Sequence, residues 1–487
     1  MNIIFFSILG FLTSTLFPPY FFLPLGFIIF PFISLFIENN YNILNKGKLF
    51  IYGFSFGFFF FISLLFWIQS PFFIFDETKN FFLVSILLII FLSLIFATIF
   101  TLFVFYNKFL PIFFIIPIIF IFTEYFISNF FYGFPWINFS LILSSNEYFL
   151  YIHKQFGTFV TSYLIIQIFC LPYLLLTKKN IQVELRSLVV FIIFPLILSL
   201  LINFSSKENK NIVKNKIDVE IIQLNFKKNT NENNPEKRLK KILNNIISSD
   251  SSLVIFGENN YPYLVKKQEL KIIQSVLKDD QTVIIGATRK ENNKYYNTLF
   301  NITTSKISHF DKKILVPFGE FLPFRNLFYF LEKISGPVDF SKGSINRIIN
   351  INKDINYLPA ICYEIIFYWS LINKHNTETD FIVNITNDIW FGKLLGPYQH
   401  FYITRIRSAE FNKPLIRVSN NGISAILNEN GKIKSLIDLN TSGSIKLKMN
   451  LNNKKNYYQI HNIFKFYLIF ILFFLIIFNF IKSNDPK

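Results

Sequence analysis

The sequence predicts a membrane protein of two parts, a polytopic α-helical domain and an α/β domain outside the bilayer. Of its 487 residues, 52% are hydrophobic and 19% are aromatic, and the apolar residues fall in long blocks. A hydrocarbon core of about 30 Å requires about 20 mostly apolar residues per helix. The segment between residues 205 and 462 instead alternates short apolar runs with polar stretches, which is typical of a layered α/β domain.

Eight apolar stretches approach the length of a membrane helix, so we expect about eight transmembrane helices. The first could alternatively be a signal peptide, but it lacks a basic leading region and a small-residue cleavage site. We therefore expect a transmembrane domain of seven helices at 1–204, an extramembrane domain at 205–462, and a last helix with its tail at 463–487. The stretches are 3–17, 20–37, 50–68, 82–106, 111–129, 157–177, 186–204 and 463–481.

The charges in the short loops predict the orientation of the chain in the membrane. Loops that follow odd-numbered helices carry only Lys79 and Lys154. The positive-inside rule therefore predicts both termini in the cytoplasm and the 205–462 segment on the outer side. The loops after even-numbered helices and the C-terminal tail carry Lys46, Lys48, Lys108, Lys178, Lys179, Arg186, Lys482 and Lys487.

The net charge of +18 lies largely in the extramembrane segment, in runs such as KENKNIVKNK at 207–216. Such runs could favour an anionic lipid surface. A general enrichment in Lys and Asn is the preferred explanation, because no basic stretch alternates with aromatic residues as a nucleic-acid groove would. We therefore expect a lipid bilayer, and no nucleic acid, among the partners.

The two cysteines, Cys170 and Cys362, are predicted to be free thiols. Cys170 lies inside the sixth apolar stretch, whereas Cys362 belongs to the extramembrane segment. A disulfide between them is therefore implausible even in an oxidising compartment. The five histidines are scattered and no Cys-x-x-Cys occurs, so we expect no metal site.

The extramembrane segment contains short strand-like runs that are apolar almost throughout, which is typical of strands covered on both faces. Residues 234–250 between the first two, NPEKRLKKILNNIISSD, start with Asn-Pro and have apolar residues at helical spacing. Strands that alternate with helices predict an α/β layered domain. The runs lie at 219–226, 252–258, 282–288, 357–364, 380–387 and 414–422.

Three of these runs end in polar residues that an apolar strand does not require. The ends carry Glu258, Cys362 with Glu364, and Asn387 with Asp388. Ligands of α/β sheets bind at the carboxyl ends of strands. Taken alone, Cys362 would more often be a small buried hydrophobe than a nucleophile.

A lysine completes a possible set of catalytic groups. In HFDKKILVPFGEFLP, residues 309–323, we expect Lys313 to be solvated, whereas the register of Lys312 with Phe310 and Ile314 allows it to turn inward. A cysteine, a carboxylate and a lysine together make a workable nucleophile, with a base for the thiol proton and a cation for an oxyanion. Composition alone does not select these three residues.

Four motifs resemble the carbon-nitrogen hydrolase (nitrilase) superfamily and its membrane-embedded branch, the bacterial apolipoprotein N-acyltransferases. They are GEN at 257–259, DKKILVPFGEFLP at 311–323, ICYE at 361–364 and NITNDIWFGKLLGPYQHFYITRIRSAEFNKPLIRVSNNG at 384–422. The resemblance covers most of the chain. It implies a nitrilase-like αββα sandwich as the catalytic domain, on the periplasmic side of the bacterial cytoplasmic (inner) membrane.

The resemblance implies a Glu-Lys-Cys triad. The general base would be Glu258, the oxyanion-side lysine Lys312 and the nucleophile Cys362. The lysine is assigned by register, because the catalytic lysine of the family precedes the glutamate that matches Glu320 by eight residues. The resemblance further implies supporting or site-lining roles for Glu320, Tyr363, Glu364, Asn387, Asp388, Trp390 and Phe391.

Some of these positions have simpler interpretations. NDIWFG could be a plain turn with buried aromatic residues, although we favour a loop that lines the site. His400 shows no partner in the sequence, and we expect it to be structural. Glu124 is either a functional group within the membrane or a charge near the interface. The resemblance places Pro135 and Trp136 in an outer loop where lipid would enter, whereas Trp136 could also be an aromatic-belt residue.

The implied activity is transfer of an acyl chain from a glycerophospholipid, through a thioester on Cys362, to the N-terminal amine of an S-diacylglyceryl-cysteine apolipoprotein, with no cofactor. A membrane-bound amidase of the same superfamily is the first alternative. The second is a non-catalytic relic or lipoprotein-binding protein. It stays open because Phe256 and Gly257 replace the usual Trp-Pro of the family, and because QLNFKKNTNEN, residues 223–233, lacks a common tryptophan.

Overall fold

The computed structural model describes residues 2–106, 111–177, 213–226, 234–266, 269–344, 347–371 and 379–452. These residues form two compact units. The first contains the described residues of 2–66 and 83–177, and the second contains 67–82 and the described residues of 213–452. The predicted seventh and eighth membrane helices, at 186–204 and 463–481, lie outside the described residues.

The first unit is helical, and each of the first six predicted stretches contains a helix. Five spans of the described chain are long and apolar enough to cross a membrane, whereas the helix nearest the amino terminus is shorter. The described part of the chain therefore supports a polytopic membrane domain and leaves the expected total of about eight helices as a prediction. The helices are α1 Asn2–Ser14, α2 Gly26–Asn40, α3 Lys46–Leu64, α4 Val84–Phe105, α5 Ile112–Asn129, α6 Glu147–Phe169 and α7 Leu171–Leu176.

Helix α6 begins well before the predicted start of the sixth stretch at residue 157. Its first turn is capped by Asn146, whose side chain accepts a 2.8 Å hydrogen bond from the Tyr148 amide. Gly157 interrupts the helix with φ 71°. The segment before this break contains His153 and Lys154, so its polarity concealed it from a search for apolar residues alone.

Helices α3 and α4 approach each other through small residues one helical turn apart. A Cβ on Gly53 would lie 3.0 Å from Cα of Ala97, and a Cβ on Gly57 would lie 3.3 Å from Cα of Ser93. Lipid provides little hydrophobic drive for helix association, so close backbone packing of this kind contributes much of the stability of a helical membrane domain.

We expect Gly53→Leu to destabilise the helical unit, because the added carbons must push the backbones of α3 and α4 apart. Overpacking of this kind costs about 1–3 kcal/mol, so the thermal unfolding midpoint in detergent should fall. The matched control is Gly47→Leu, because Gly47 is exposed on the same helix. An equal loss of stability in the two variants would contradict close packing of α3 on α4.

The second unit contains two six-stranded sheets, of which the first has the strand order β12-β1-β2-β3-β4-β5. Its central strands β1, β2 and β3 are parallel, and the remaining pairs are antiparallel. The strands are β1 Val213–Gln223, β2 Leu253–Phe256, β3 Thr282–Glu291, β4 Lys294–Ile302, β5 Ile307–Asp311 and β12 Gly443–Asn452.

The second sheet has the order β11-β10-β9-β8-β7-β6, again with three parallel strands, β7, β8 and β9, at its centre. Each of the six predicted strand runs matches one of these parallel central strands in the two sheets. The strands are β6 Ile349–Asn350, β7 Asn356–Ile361, β8 Phe381–Thr386, β9 Leu415–Ser419, β10 Ser424–Leu427 and β11 Ile433–Ile437.

The two sheets pack face to face, with helices on their outer sides. The predicted amphipathic helix, α8, packs Ile242 and Ile246 against Val254 and Phe256 of the first sheet. Burial of each such side chain stabilises the fold by about 1.5–3 kcal/mol. The other helices are α9 Lys271–Gln274, α10 Glu332–Ser335, α11 Tyr368–Leu371 and α12 Gly396–Phe411, and α8 spans Pro235–Ser248.

The packing of the sheets brings the ends of β2 and β8 together. The Glu258 amide, just after β2, donates to the Thr386 carbonyl at the end of β8 over 3.4 Å. Nearby, the Asn225 amide donates to the Asn420 carbonyl over 2.8 Å. The polar residues that follow these strands therefore meet at one edge of the sandwich, as the sequence predicts.

Candidate functional site

Cys362 lies on a strained turn at the end of β7. It has φ +50°, a left-handed conformation that costs a non-glycine residue about 1–3 kcal/mol and is typical of functional sites. The residue begins a short 3₁₀ turn, Cys362–Ile366, and is 5% exposed. Its thiol is free, as is that of Cys170. The backbone therefore presents the thiol in a fixed direction.

Glu364 holds this turn in place. One carboxylate oxygen accepts from the Ile361 amide over 2.9 Å. The other accepts from the Lys313 amide over 2.8 Å and from Arg347 Nη2 over 2.6 Å. Glu364 is fully buried, so these bonds connect the end of β7 to the segment that follows β5.

Glu258 faces the thiol from the end of β2. Its buried carboxylate accepts a hydrogen bond from Asn297 Nδ2 over 2.7 Å, and it interacts with the Cys362 thiol. Burial and the nearby Glu320 carboxylate raise the pKa of Glu258 to about 7, although Lys312, with Nζ 3.9 Å away, opposes the shift. A carboxylate with this pKa is suited to general base catalysis near neutral pH.

Lys312 lies directly after β5, and its side chain is 1% exposed. Its Nζ is 2.9 Å from both oxygens of Glu320. Burial alone would lower the pKa of Lys312, but the negative charges of Glu320 and Glu258 outweigh that effect and raise it. Lys312 thus remains an ammonium, and it turns inward as the sequence predicts.

The pKa of the Cys362 thiol is raised. Burial is the main cause and the Glu258 carboxylate adds to it, while Lys312 acts in the opposite direction. At neutral pH the resting site therefore holds a thiol, not a thiolate. A reaction at this sulfur requires a base that removes the proton during attack, and Glu258 is a carboxylate that interacts with it.

Asn297, on β4, is a site residue that the sequence analysis missed. Its Nδ2 donates to Oε1 of Glu258 and to Oε1 of Glu320, each over 2.7 Å. Its backbone carbonyl accepts from the Lys312 amide over 2.8 Å. In the sequence, the local signal of this role is an amide residue that precedes the mostly apolar end of KYYNTLFNI, residues 294–302.

Asp388 is fully buried and lies in the NDIWFG loop, which was expected to line the site. It accepts from Arg417 Nη2 over 2.7 Å and from Thr386 Oγ1 over 2.9 Å, and it lies 3.0 Å from His400 Nδ1. Burial would raise the pKa of Asp388, but Arg417 and His400 lower it to about 2. His400 therefore has charged neighbours that the sequence did not reveal, and Arg417 was missed.

The remaining predicted residues lie around these groups. Tyr363 is buried and packs edge-on against Phe367, with ring centroids 5.0 Å apart. Asn387 precedes the 3₁₀ turn Asp388–Phe391, in which Trp390 is partly exposed. Phe391 is buried and its ring packs edge-on against His400 at 5.0 Å.

The membrane-side candidates belong to the first unit, whereas the predicted triad residues belong to the second. Glu124 on α5 is 1% exposed and accepts from the Phe139 amide over 3.0 Å and from Ser162 Oγ over 3.2 Å. Pro135 and Trp136 are buried, and Trp136 stacks on Phe134 at 6.2 Å. Trp136 is therefore packed inside the helical unit, which disfavours the aromatic-belt interpretation.

Within the described ranges of the chain, no three His, Cys, Asp or Glu residues come together in a way that could hold a metal ion. The cluster of Glu258, Asn297, Lys312, Glu320 and Cys362 can instead perform nucleophilic catalysis. It supplies a thiol, a base in contact with it and an ammonium beside both.

Comparison with known proteins places the two units in named families. Residues 9–171 match the family model of the apolipoprotein N-acyltransferase N-terminal domain, and residues 219–458 match that of carbon-nitrogen hydrolases. The chain is similar over most of its length to apolipoprotein N-acyltransferases. That of Wigglesworthia glossinidia brevipalpis is 32% identical over 462 residues, which cover 88% of this chain and 87% of the relative.

Two rickettsial relatives carry the same name. The protein of Rickettsia prowazekii is 27% identical over 461 residues, which cover 89% of each chain. That of Rickettsia bellii is 28% identical over 464 residues, which cover 89% of this chain and 88% of the relative. The helical unit, the carbon-nitrogen hydrolase domain and these full-length similarities lead to one assignment. The chain belongs to the apolipoprotein N-acyltransferase family.

Proposed function

We propose that this protein transfers an acyl chain from a glycerophospholipid to the N-terminal amine of S-diacylglyceryl-cysteine apolipoproteins, through a thioester on Cys362. The observation that carries the proposal is the buried cluster in which the Glu258 carboxylate lies 3.9 Å from Lys312 Nζ and interacts with Cys362, whose backbone is held at a positive φ. The names of the relatives support the class of reaction and of acceptor.

The first half-reaction forms the acyl-enzyme. Glu258 removes the thiol proton as the Cys362 sulfur attacks an ester carbonyl of the phospholipid. Lys312 stabilises the tetrahedral oxyanion, because its ammonium stays charged in a site that excludes water. The intermediate then collapses, the ester C–O bond breaks, and the proton on Glu258 passes to the departing lysophospholipid oxygen.

The second half-reaction transfers the acyl group. Glu258 takes a proton from the α-ammonium of the apolipoprotein, and the free amine attacks the thioester carbonyl. The C–S bond breaks and the amide forms. Of the two protons that the nitrogen loses, one returns to Cys362 and the other leaves Glu258 for solvent, which restores the carboxylate. Since one site serves both substrates in turn, we expect ping-pong kinetics. No step requires a metal or a diffusible cofactor.

The location of the chain suits substrates that are both anchored in a bilayer. The apolar spans and the family support a protein of the inner membrane. From the loop charges we propose that both termini lie in the cytoplasm and that the catalytic domain lies on the periplasmic side. Pro135 and Trp136 remain candidates for the region where lipid reaches the protein.

The alternatives are less well supported. Gly257, which departs from the usual proline, donates its amide to Asn260 Oδ1 over 2.9 Å, a bond that proline cannot make. Gly257 thus makes a backbone hydrogen bond directly before Glu258, and this ordered contact argues against a decayed site. The amidase alternative has no specific support, because the helical unit also matches the acyltransferase family.

We expect the wild-type protein, incubated with phosphatidylethanolamine alone, to gain the mass of one acyl group in a hydroxylamine-labile form. The Cys362→Ala variant should gain none, since it lacks the nucleophile. Intact-mass spectrometry measures both. The control is Cys170→Ser, which removes the other free thiol and should still form the adduct. A folded wild-type protein that stays unmodified by several phospholipids would contradict the acyl-enzyme.

The rate of acyl-enzyme formation should rise with pH through an apparent pKa near 7, because only the ionised Glu258 carboxylate can take the thiol proton. We call this rise the ascending limb of the pH–rate profile. Glu320→Gln removes a negative charge that raises the pKa of Glu258, so the ascending limb should move to lower pH. The rate itself should fall about 10- to 100-fold, because Lys312 loses its charged partner. Single-turnover rates across pH measure both effects. The control is Glu332→Gln, a partly exposed carboxylate of the same domain that pairs with Arg325 and should leave the pH dependence unchanged.

Asn297→Ala should move the same limb in the opposite direction. Without the hydrogen bond from Nδ2, the Glu258 carboxylate is less stabilised and its pKa rises. Hydrogen bonds to charged groups contribute about 1.5–3 kcal/mol. The control is Asn301→Ala on the same strand, because the Asn301 side chain contacts Tyr357, not a triad residue. Identical pH profiles for the two variants would contradict the role of Asn297.

A further inference from the structure

The loop between α3 and α4, residues 67–82, belongs to the catalytic unit although the helices on either side of it belong to the helical unit. It consists mainly of two 3₁₀ turns, Phe66–Phe73 and Asp76–Phe81. Thr78 closes the loop on itself, since its Oγ1 donates to the Phe72 carbonyl over 2.8 Å. We call residues 67–82 the α3–α4 loop.

Trp67 packs this loop against α12 and the 3₁₀ turn Asp388–Phe391. Its indole Nε1 donates to Gln399 Oε1 over 3.0 Å, and both side chains are buried. Its ring packs edge-on against Phe391, with centroids 5.0 Å apart and an interplanar angle of 83°. One side chain thus contacts both the 3₁₀ turn after β8 and the helix α12 that follows it.

Two glycines make room for this approach. A Cβ on Gly396 would lie 2.6 Å from Cβ of Phe391 and 2.9 Å from Cγ of Trp67. Gly392 has φ +72°, and a Cβ there would lie 2.5 Å from Ser70 Oγ. The segment between the turn and α12 therefore fits against the α3–α4 loop with no space for a side chain at either position.

From Phe391 a continuous set of contacts leads to the nucleophile. Phe391 packs on His400, which lies 3.1 Å from Arg417 Nη2 and 3.0 Å from the Asp388 carboxylate. Arg417 Nη1 donates to Asn384 Oδ1 over 2.7 Å.

Asn384 completes the connection. Its Nδ2 donates to the carbonyl of Ala360 over 3.1 Å and to that of Cys362 over 3.5 Å. The carbonyl of Cys362 belongs to the residue in the strained conformation. A shift of the turn Asp388–Phe391 would therefore alter the support of the Cys362 backbone.

We propose that Trp67 is a positioning residue for Cys362, which it supports through Phe391, His400, Arg417 and Asn384. It does not contact reacting atoms in this role. A segment that lies between two membrane helices in sequence thereby completes the scaffold of the catalytic thiol. The inference rests on the proposed function for its link to acyl transfer, but its effect on the Cys362 thiol is independent of that function.

The test measures the rate of alkylation of Cys362 by iodoacetamide, by peptide mass spectrometry, next to the rate of acyl-enzyme formation. Trp67→Phe keeps an aromatic ring but loses the N–H donor, and we expect both rates to change about 3- to 12-fold. Trp67→Ala should lower the acylation rate about 100-fold, as small misplacements of reacting groups do. The matched control is Phe73→Ala, because Phe73 is 51% exposed on the same loop.

A double-mutant cycle separates positioning from a general loss of structure. If Trp67 acts through its bond to Gln399, the effects of Trp67→Phe and Gln399→Leu on the two rates should be non-additive. The effect should fall on kcat with KM for phospholipid unchanged, and the thermal midpoint of Trp67→Phe should match that of Phe73→Ala. Unchanged alkylation and acylation rates in Trp67→Phe and Trp67→Ala would overturn the inference and leave the proposed function intact. Altered alkylation in a protein whose wild type forms no acyl-enzyme would overturn the function and support the positioning role.

Discussion

The site depends on the burial of one ammonium between two carboxylates. Removing a charge from water costs several kcal/mol, so the side chain of Lys312, at 1% exposure, requires a close counter-ion. Glu320 supplies it with both oxygens at 2.9 Å, whereas Glu258 stays 3.9 Å away. The two carboxylates compete for one positive charge. Glu258, the more distant one, is stabilised less by the ammonium, so burial, together with the charge of Glu320, raises its pKa to about 7.

Hydrogen bonds from the sheets hold these groups in position. The Lys312 amide bonds to the Asn297 carbonyl, which sets the lysine opposite the amide that donates to both carboxylates. Glu364 then links the end of β7 to the backbone of Lys313. Cys362 and Lys312 thus follow strands of different sheets, and the buried carboxylate of Glu364 links the two segments. Strain at Cys362 persists because so many bonds fix its surroundings.

Sequence reasoning identified the groups that mark strand ends and missed those that act from within strands. Glu258, Cys362 and Asp388 each end an apolar run, so their polarity is visible locally. The choice of Lys312 over Lys313 needed the register of a known family. Asn297 and Arg417 lie inside β4 and β9, where a polar residue acquires its partners only by tertiary packing. The six outer strands, β4 to β6 and β10 to β12, were missed, because most of them are either short or more polar than the central strands.

The α3–α4 loop shows why hydropathy divides this chain differently from packing. Hydropathy reports which solvent a segment prefers, and it assigns residues 1–204 to one membrane domain. Contacts in the folded chain instead group residues 67–82 with the catalytic unit. A buried indole N–H must find an acceptor, and Trp67 finds it on α12. A catalytic domain cut from the chain at residue 205 would leave Gln399 without this donor and the neighbouring glycines without the surface that they fit. Residues 67–82, which lie between α3 and α4 in the sequence, therefore belong to the packed surroundings of α12.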